Sequence, residues 1–307
     1  MINLLEADFS FGVFNTFEKV SCPNAEKFLF ALYDGNAIES VLMRHDYGNA
    51  LCISTQVGCN MGCAFCNSGR RNSLPDSAEA SPAKIRDLLP YEMVLQILRA
   101  EEAFRVKPKI SRVTLMGIGE PLDNFENVKD FIDIIHHRHG LDIAPRHITV
   151  STCGTVRLDE LHRSSYNIAI SLHAPNNELR GQIMPCNAAF GLDKIIEFAR
   201  RYSERQKKKI TFEYVMLENM NDSDNHAREL AELIKGLYCY VNLIPYNETK
   251  LGFKRPNPER ISSFYSILIQ SGVRAVVRKE FGGEIKAACG QLCAERNIKN
   301  HDRIENC

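Results

Sequence analysis

No stretch of this sequence stays apolar for the roughly 20 residues that a membrane-spanning helix needs. Nor does it open as a secretory signal would, because MINLLEADFSFGVF carries acids where a basic region belongs. Excess charge of either sign is missing too. Lys and Arg number 38, Asp and Glu number 38, and the formal net charge is +0. Nothing in that total announces nucleic acid, although recognition depends on where the charges lie rather than on their sum. Tryptophan is absent, no internal repeat occurs, and the chain is 44% hydrophobic and 25% charged. That is the composition of a soluble globular protein with a large core in one or two domains. Cysteine is the exception to this scarcity. Eleven cysteines are an odd number for a secreted disulfide framework, and they cluster as metal ligands do. The expected compartment is therefore a reducing cytoplasm.

The cluster is Cys59, Cys63 and Cys66, spaced C-x3-C-x2-C directly after an apolar run that reads as a strand. A zinc site wants two close pairs, or cysteines with histidines at ligand spacing. Here the nearest following histidine is His136. Iron–sulfur cubes are held by four cysteines. Three close cysteines without a fourth suggest a cube with one iron left open for another ligand, the feature of radical S-adenosylmethionine (SAM) enzymes. Buried core cysteines are the plainer reading. Three in eight positions, with Gly58 and Gly62 between them, is more than composition supplies.

Around the cluster the chain alternates strand and helix. Residues 1 to about 26 carry no strong pattern. Segments 28–33 and 37–43 read as two strands around the turn Asp34-Gly35-Asn36. A third strand, ending near Gln56, runs into the cysteine loop. Ser68 to Ala83 reads as an aperiodic excursion. Beyond it, strands are expected at 113–116, 147–151, 168–172, 210–215 and 240–244, with a last one at 274–277. Helical patterns start at Pro90 and lie around 128–136, 158–162, 194–202 and 227–234, the last capped by Asp222 or Ser223. A final helix, 259–270, stops at Gly272. The fold class is α/β. Counting the strand before the cluster as the first gives six, a partial (β/α)6 TIM-like barrel. A short extension with a β-hairpin (1–48) precedes the core (49–280), and a C-terminal segment (281–307) follows. Polar residues recur where strands end, at Glu120, Ser151, Ser171, His173 and Asn247, as they do on the active face of α/β barrels. Gly117-Ile-Gly119-Glu120 follows a strand directly. Its glycines would let backbone amides approach a ligand, and Glu120 suits an ammonium group. The run Arg200–Lys209 (RRYSERQKKK) reads as a solvated face.

Several motifs occur in one order: Cys52-x6-Cys59-x3-Cys63-x2-Cys66, Gly117-Ile-Gly-Glu-Pro-Leu122, Ser151-Thr-Cys-Gly154, Ser171-Leu-His-Ala-Pro175, Tyr214-Val-Met-Leu217, Asn219-Met-Asn-Asp222, Asn242-Leu-Ile-Pro-Tyr-Asn247 and Ala288-Cys-Gly-Gln-Leu292. Together they resemble the radical SAM adenine methyltransferases that modify large-subunit ribosomal RNA. The resemblance runs from about Lys27 to Leu292. It implies a [4Fe–4S] cluster on Cys59, Cys63 and Cys66, and two SAM molecules per turnover. One SAM methylates Cys289, whose thiolate is the natural nucleophile. The other yields a deoxyadenosyl radical that takes a hydrogen from the S-methyl group, and the resulting carbon radical adds to the adenine ring. Cys52 then attacks the linking sulfur, forms a transient disulfide with Cys289 and frees the product. Glu39 matches the proton acceptor. Gly119, Glu120, Ser151, Ser171, Leu172, His173 and Asn247 match SAM contacts.

The family has a housekeeping branch that methylates adenine carbon 2, in some members on transfer RNA too, and a resistance branch that methylates carbon 8. Gln56-Val-Gly-Cys59 looks like the first, and Phe281-Gly282 like the second. Expected partners are RNA (23S rRNA, or tRNA) and an electron donor such as flavodoxin or ferredoxin, with no membrane. The family's N-terminal helical domain is not matched, since only about 26 residues precede the hairpin. That motivates an alternative, the same chemistry on another RNA, a peptide or a small molecule. A non-catalytic metal-binding or RNA-binding module would leave Cys52 and Cys289 unexplained.

Overall fold

Short runs of branched and aromatic residues, each closed by a turn, assemble one ten-stranded sheet. It is described here in a computed structural model that covers residues 15–69, 85–103, 108–279, 285–287 and 289–292. The strands are β1 (Asn15–Cys22), β2 (Ala25–Ala31), β3 (Ala37–His45), β4 (Gly48–Cys52), β5 (Gln56–Val57), β6 (Arg86–Asp87), β7 (Ile110–Leu115), β8 (Ile148–Thr152), β9 (Asn167–Ser171), β10 (Ile210–Met216), β11 (Cys239–Pro245) and β12 (Ala275–Val277). The helices are α1 (Pro90–Ala103), α2 (Phe125–His136), α3 (Asn177–Ile183), α4 (Leu192–Gln206), α5 (Asp224–Leu233) and α6 (Pro258–Gln270). The main sheet runs β1-β2-β3-β4-β7-β8-β9-β10-β11-β12, and β5 and β6 form a separate pair.

Pairing is antiparallel from β1 to β4 and parallel from β4 to β12. The parallel part is the expected six-stranded barrel core, from β4 to β11, with the short β12 added beside β11. The antiparallel part is the hairpin extension, continuous with the barrel sheet. Its turn forms as read. Gly35 takes φ +81°, and Asn36 N–H donates to Asp34 Oδ1 at 3.0 Å.

Period-two alternation splits the extension into two faces. Phe28, Phe30, Ile38, Leu42 and Leu51 join the main core, against Met93 and Ile97 of α1. Leu29, Val41, Met43, Ala50 and Cys52 face the other way, where Ala287 and Leu292 cover them. Each fully buried large aliphatic or aromatic side chain contributes about 1.5–3 kcal/mol. The second face is therefore a real seat for the C-terminal segment.

Four elements differ from the sequence reading, the first being α3, where no helix was expected. The strand expected to end near Gln56 stops at Cys52, and residues 53–55 go on bonding to 114–118 beyond the regular ladder. Gln56 and Val57 pair instead with Asp87 and Arg86. Residues 1 to about 26 were patternless, yet β1 lies there, registered on β2 with an irregularity between Thr16 and Glu18 that blurs the alternation. The pattern at 158–162 is a 3-10 helix over Leu158–Arg163. The cap of α5 is Ser223, which accepts from His226 N–H at 3.2 Å. In the Arg200–Lys209 run, Arg201 pairs with Asp159 and Glu197 at the surface, as a solvated face does. Most of the Ser68–Ala83 excursion (residues 70–83), Arg70, Arg71, Phe281, Gly282, Ala288, Cys293 and Cys307 lie outside the described residues. No helix among the described residues is long and apolar enough to cross a membrane.

Candidate active site

The cysteine loop is positioned by backbone against backbone. Ile53 N–H donates to Thr114 O (2.9 Å), Thr55 N–H to Ile118 O (2.8 Å) and Gly117 N–H to Ile53 O (3.0 Å). A Cβ on Gly117 would sit 2.6 Å from the carbonyl of Ile53, and one on Gly119 would sit 2.7 Å from Gln56 N. These glycines therefore serve the close approach of two chain segments. Both also line the cavity described next, where their backbone can meet a ligand. Gly58 and Gly62 then take φ +75° and +64°, conformations that other residues adopt only under strain. Between them the chain folds back so that Cys59, Cys63 and Cys66 line one cavity. Ala64 N–H, inside the loop, donates to Ile183 O at the end of α3 (2.9 Å).

The same cavity is lined by the strand ends: Gly119 and Glu120 after β7, Ser151 on β8, Ser171 and His173 at β9. Burial pushes the Cys59 thiol up to about 12, with Cys66 adding to it. Burial, then Cys66 and Cys186, raise Cys63 in the same direction. A bound cation would offset both causes and favour the thiolates of Cys59 and Cys63. Burial also raises Glu120, although its carboxylate accepts the N–H groups of Cys153 (2.9 Å) and Leu122 (3.1 Å). Among the described residues it has no ion-pair partner, which suits the ammonium of SAM. His173, at φ 58°, is pulled down to about 3 by burial and by Arg180. Its Nδ1 accepts Val215 N–H at 2.9 Å, so the neutral ring carries its proton on Nε2.

A second cavity adjoins the first. Cys52, Asn247, Arg255, Arg278 and Lys279 line it, and Cys289 lines both. The Cys289 segment is tied to the cysteine loop. Asn67 N–H donates to Gly290 O and Ser68 Oγ to Leu292 O, each at 2.9 Å. Asn247 Nδ2 donates to Cys289 O at 3.3 Å, while its Oδ1 is buried with no partner among the described residues. Burial and the neighbouring Cys289 push the Cys52 thiol up to about 12. Glu39 stands on the same face of β3 as Val41, the cross-strand partner of Cys52. It is buried and paired with Lys27 Nζ at 2.8 Å, so it is not a solvated hairpin carboxylate.

Of the residues expected from sequence, Asn247 lines only the second cavity, Glu39 lines neither, and Leu172 is turned away from both. Its side chain is fully buried in the core, and its backbone engages Glu213 and Arg180. Three others enter unannounced. Glu213 on β10 lines the first cavity, and its carboxylate is raised by burial and held by Asn242 Nδ2 (2.8 Å). Arg278 stands 3.9 Å from Glu213 and lines both cavities. Arg180 on α3 binds the carbonyls at the ends of β8 and β9. A charge inside the apolar run of β10 was a readable signal for Glu213. Arg180 had none, since seven residues are too few for a helical period to show.

These residues fit the cofactors of a radical SAM enzyme: three partly buried cysteines on one cavity, a buried carboxylate with no ion pair among the described residues, and a buried amide oxygen with no partner among them. Among the described residues, no three His, Cys, Asp or Glu side chains stand at the spacing that grips a single ion. The Radical SAM superfamily model matches residues 53–231. A probable dual-specificity RNA methyltransferase RlmN of Thermoanaerobacter sp. (strain X514) is 44% identical over 272 residues, 87% of this chain and 75% of that protein. Its counterpart in Caldicellulosiruptor saccharolyticus is 47% identical over 271 residues, again 87% of this chain and 75% of the relative. The crystal structure of a radical SAM methyltransferase from Sphaerobacter thermophilus aligns with a TM-score of 0.87 and 38% identity, over 95% of this chain and 85% of that one. The chain belongs to the radical SAM superfamily and, within it, to the RlmN family of methyltransferases. Its cofactors are a [4Fe–4S] cluster and SAM.

Proposed function

We propose that this enzyme methylates an adenine ring carbon of RNA, carbon 2 rather than carbon 8, with 23S ribosomal RNA as substrate and transfer RNA as a second one. One observation carries the reading: Cys289 lines both the cavity of Cys59, Cys63, Cys66 and Glu120 and the cavity of Cys52. A sulfur at that junction serves SAM on one side and substrate on the other. The net charge is zero, yet Arg255, Arg278 and Lys279 gather at the second cavity, where a phosphate backbone would find them.

When bound, the cluster and SAM supply the methyl group and the one-electron chemistry that activates it. Cys59, Cys63 and Cys66 hold the cluster. Glu120, Gly119, Ser151, Ser171, His173 and Asn247 orient SAM, with Leu172 contributing backbone only. Cys289 accepts the methyl group on sulfur, and Glu39 takes a proton from the substrate carbon. Cys52 attacks the sulfur that joins Cys289 to the base, so an S–S bond forms as the S–C bond breaks, the electron pair leaves with the product, and the proton that Cys52 gives up completes the new methyl group. Its raised pKa keeps it a thiol until that step. The core 49–280 houses the cofactors, and the flanks 1–48 and 281–307 supply Glu39 and Cys289. The compartment is the cytoplasm, with flavodoxin or ferredoxin as the electron donor.

The test is mass spectrometry of ribosomal and transfer RNA from a strain lacking the gene beside its parent. Loss of 2-methyladenosine in the deletion strain is expected. Loss of 8-methyladenosine would overturn the carbon assignment, and unchanged RNA would point to another substrate for the same chemistry.

A further inference from the structure

Part of the Arg200–Lys209 run escapes the surface pairing seen at Arg201. Among the described residues, Arg200, Lys207 and Lys209 form no ion pair, and neither does Arg274 nearby. Lys207 ends α4 at φ 53°, a left-handed position where glycine is the usual residue. A lysine there keeps a cation at the helix end at a conformational cost that glycine would avoid.

These cations stand beside tyrosine rings. A cleft of about 370 Å³ opens between the end of α4 and the turn into β11, lined by Arg200, Glu204, Lys207 and Tyr238. Tyr238 is 45% exposed, and the Arg274 guanidinium stands 5.6 Å from its ring centroid. Lys209 Nζ stands 4.9 Å from the ring of Tyr240. Backbone bonds fix this rim, with Ile210 N–H donating to Tyr238 O (3.2 Å) and Val241 N–H to Arg274 O (2.8 Å). Because β10, β11 and β12 are parallel, Lys209, Tyr238 and Arg274 all stand at strand amino ends. The 7 residues of β11, at about 3.3 Å each, put the cleft about 20 Å from the cavities at the other end.

We infer that this cleft is a second docking site for RNA, which takes a single-stranded segment away from the reacting base. This rests on the reading that RNA is the substrate. Phosphates pair with the lysines and arginines, and a base of any sequence stacks on an exposed ring that a guanidinium already flanks. Glu204 offers an acceptor to an exocyclic amine of a base. An acidic protein segment would use the cations but gives the exposed ring no flat partner. The zero net charge is no obstacle, because the unpaired cations gather on one rim.

The chain has no tryptophan, so Tyr238→Trp puts its sole indole in the cleft and keeps a stacking face. The experiment titrates this holoprotein with an oligouridine of about 12 nucleotides, which has no adenine for the active site, and follows indole fluorescence. Quenching is expected, with an affinity that falls as salt rises. Adding Lys207→Gln and Arg274→Gln is expected to lower the affinity about tenfold. The salt slope should flatten by about 1.4, at roughly 0.7 per phosphate contact. Tyr238→Ala is expected to bind a labelled oligouridine about tenfold more weakly, read by anisotropy. All these residues lie outside the cofactor cavity, so SAM cleavage is expected at the wild-type rate in each variant. No quenching, or unchanged affinity in Tyr238→Ala, would overturn the inference. Polyglutamate that quenches as strongly as oligouridine would overturn it in favour of an acidic protein. Quenching by oligouridine beside unchanged RNA in the deletion strain would keep the docking site and sink the substrate reading alone.

Discussion

Lys27 and Glu39 form an ion pair of 2.8 Å between neighbouring strands, with the carboxylate 4% exposed and the ammonium side chain 18% exposed. Lys27 Nζ also lies 3.5 Å from Lys286 O, so one ammonium links the hairpin carboxylate to the C-terminal segment. Lys27→Met takes the ammonium away from a buried carboxylate and is expected to cost about 3 kcal/mol, the low end for a broken buried pair. Glu39→Gln keeps an acceptor for Lys27 and removes the base. It is expected to unfold near wild-type urea concentration while losing most of its methyl transfer. A Glu39→Gln enzyme with normal turnover would exclude Glu39 as the proton acceptor.

The two sulfurs of the second cavity have unequal tasks. Cys289→Ala is expected to take no methyl group from SAM and to join no RNA. Cys52→Ala is expected to load and add normally, then fail at release, so it accumulates joined to RNA through Cys289. Digestion and mass spectrometry of the variant isolated from cells check this. Clean turnover by Cys52→Ala would dismiss the release role.

Glu120 gives SAM binding a pH signature. Burial raises its carboxyl above the ordinary glutamate value, so it protonates at a higher pH than a free glutamate. The charge that meets an ammonium is present above that raised value and is lost as pH falls through it. Glu120→Gln is expected to bind SAM ten- to a hundredfold more weakly at pH 7, as a charge-assisted hydrogen bond of about 1.5–3 kcal/mol implies. Calorimetry on acidification should show wild-type affinity falling toward that of the variant, whose own affinity stays flat.

His173 makes the opposite kind of mark, on stability. Its folded value of about 3 lies below the ordinary 6.5. Between those two pH values the unfolded chain binds a proton that the native ring refuses, so stability falls as pH falls, by at most about 1.4 kcal/mol per unit. Glu120, raised rather than lowered, contributes with the reverse sign over part of that window. The quantity to measure is therefore the difference between wild type and His173→Asn in urea at pH 7 and pH 5. The variant is expected to lose less stability on acidification. Parallel curves would mean that His173 is charged in the native state.

The barrel was legible because parallel strands buried on both faces are written as apolar runs with polar residues at one end, and Glu120, Ser151, Ser171 and His173 all stand there. The three cysteines were legible because their spacing is short. What escaped notice was set by tertiary contact. Cys52 marks a strand end although residues 53–55 go on bonding to 114–118 beyond the regular ladder. Arg180 reads as one charge on a seven-residue helix, and only the fold surrounds it with five neutral oxygens. Glu39 gives no sign in sequence that a lysine two strand positions into the neighbouring strand will bury it.

Asn67 and Ser68, directly after Cys66, hold the carbonyls of Gly290 and Leu292. The sulfur that carries the methyl group is thus gauged from the iron loop itself, 223 residues back along the chain from Cys289 to Cys66 by their numbers, 289 less 66. The gap between them is held the way a ruler keeps its own marks, whatever surface it is laid on.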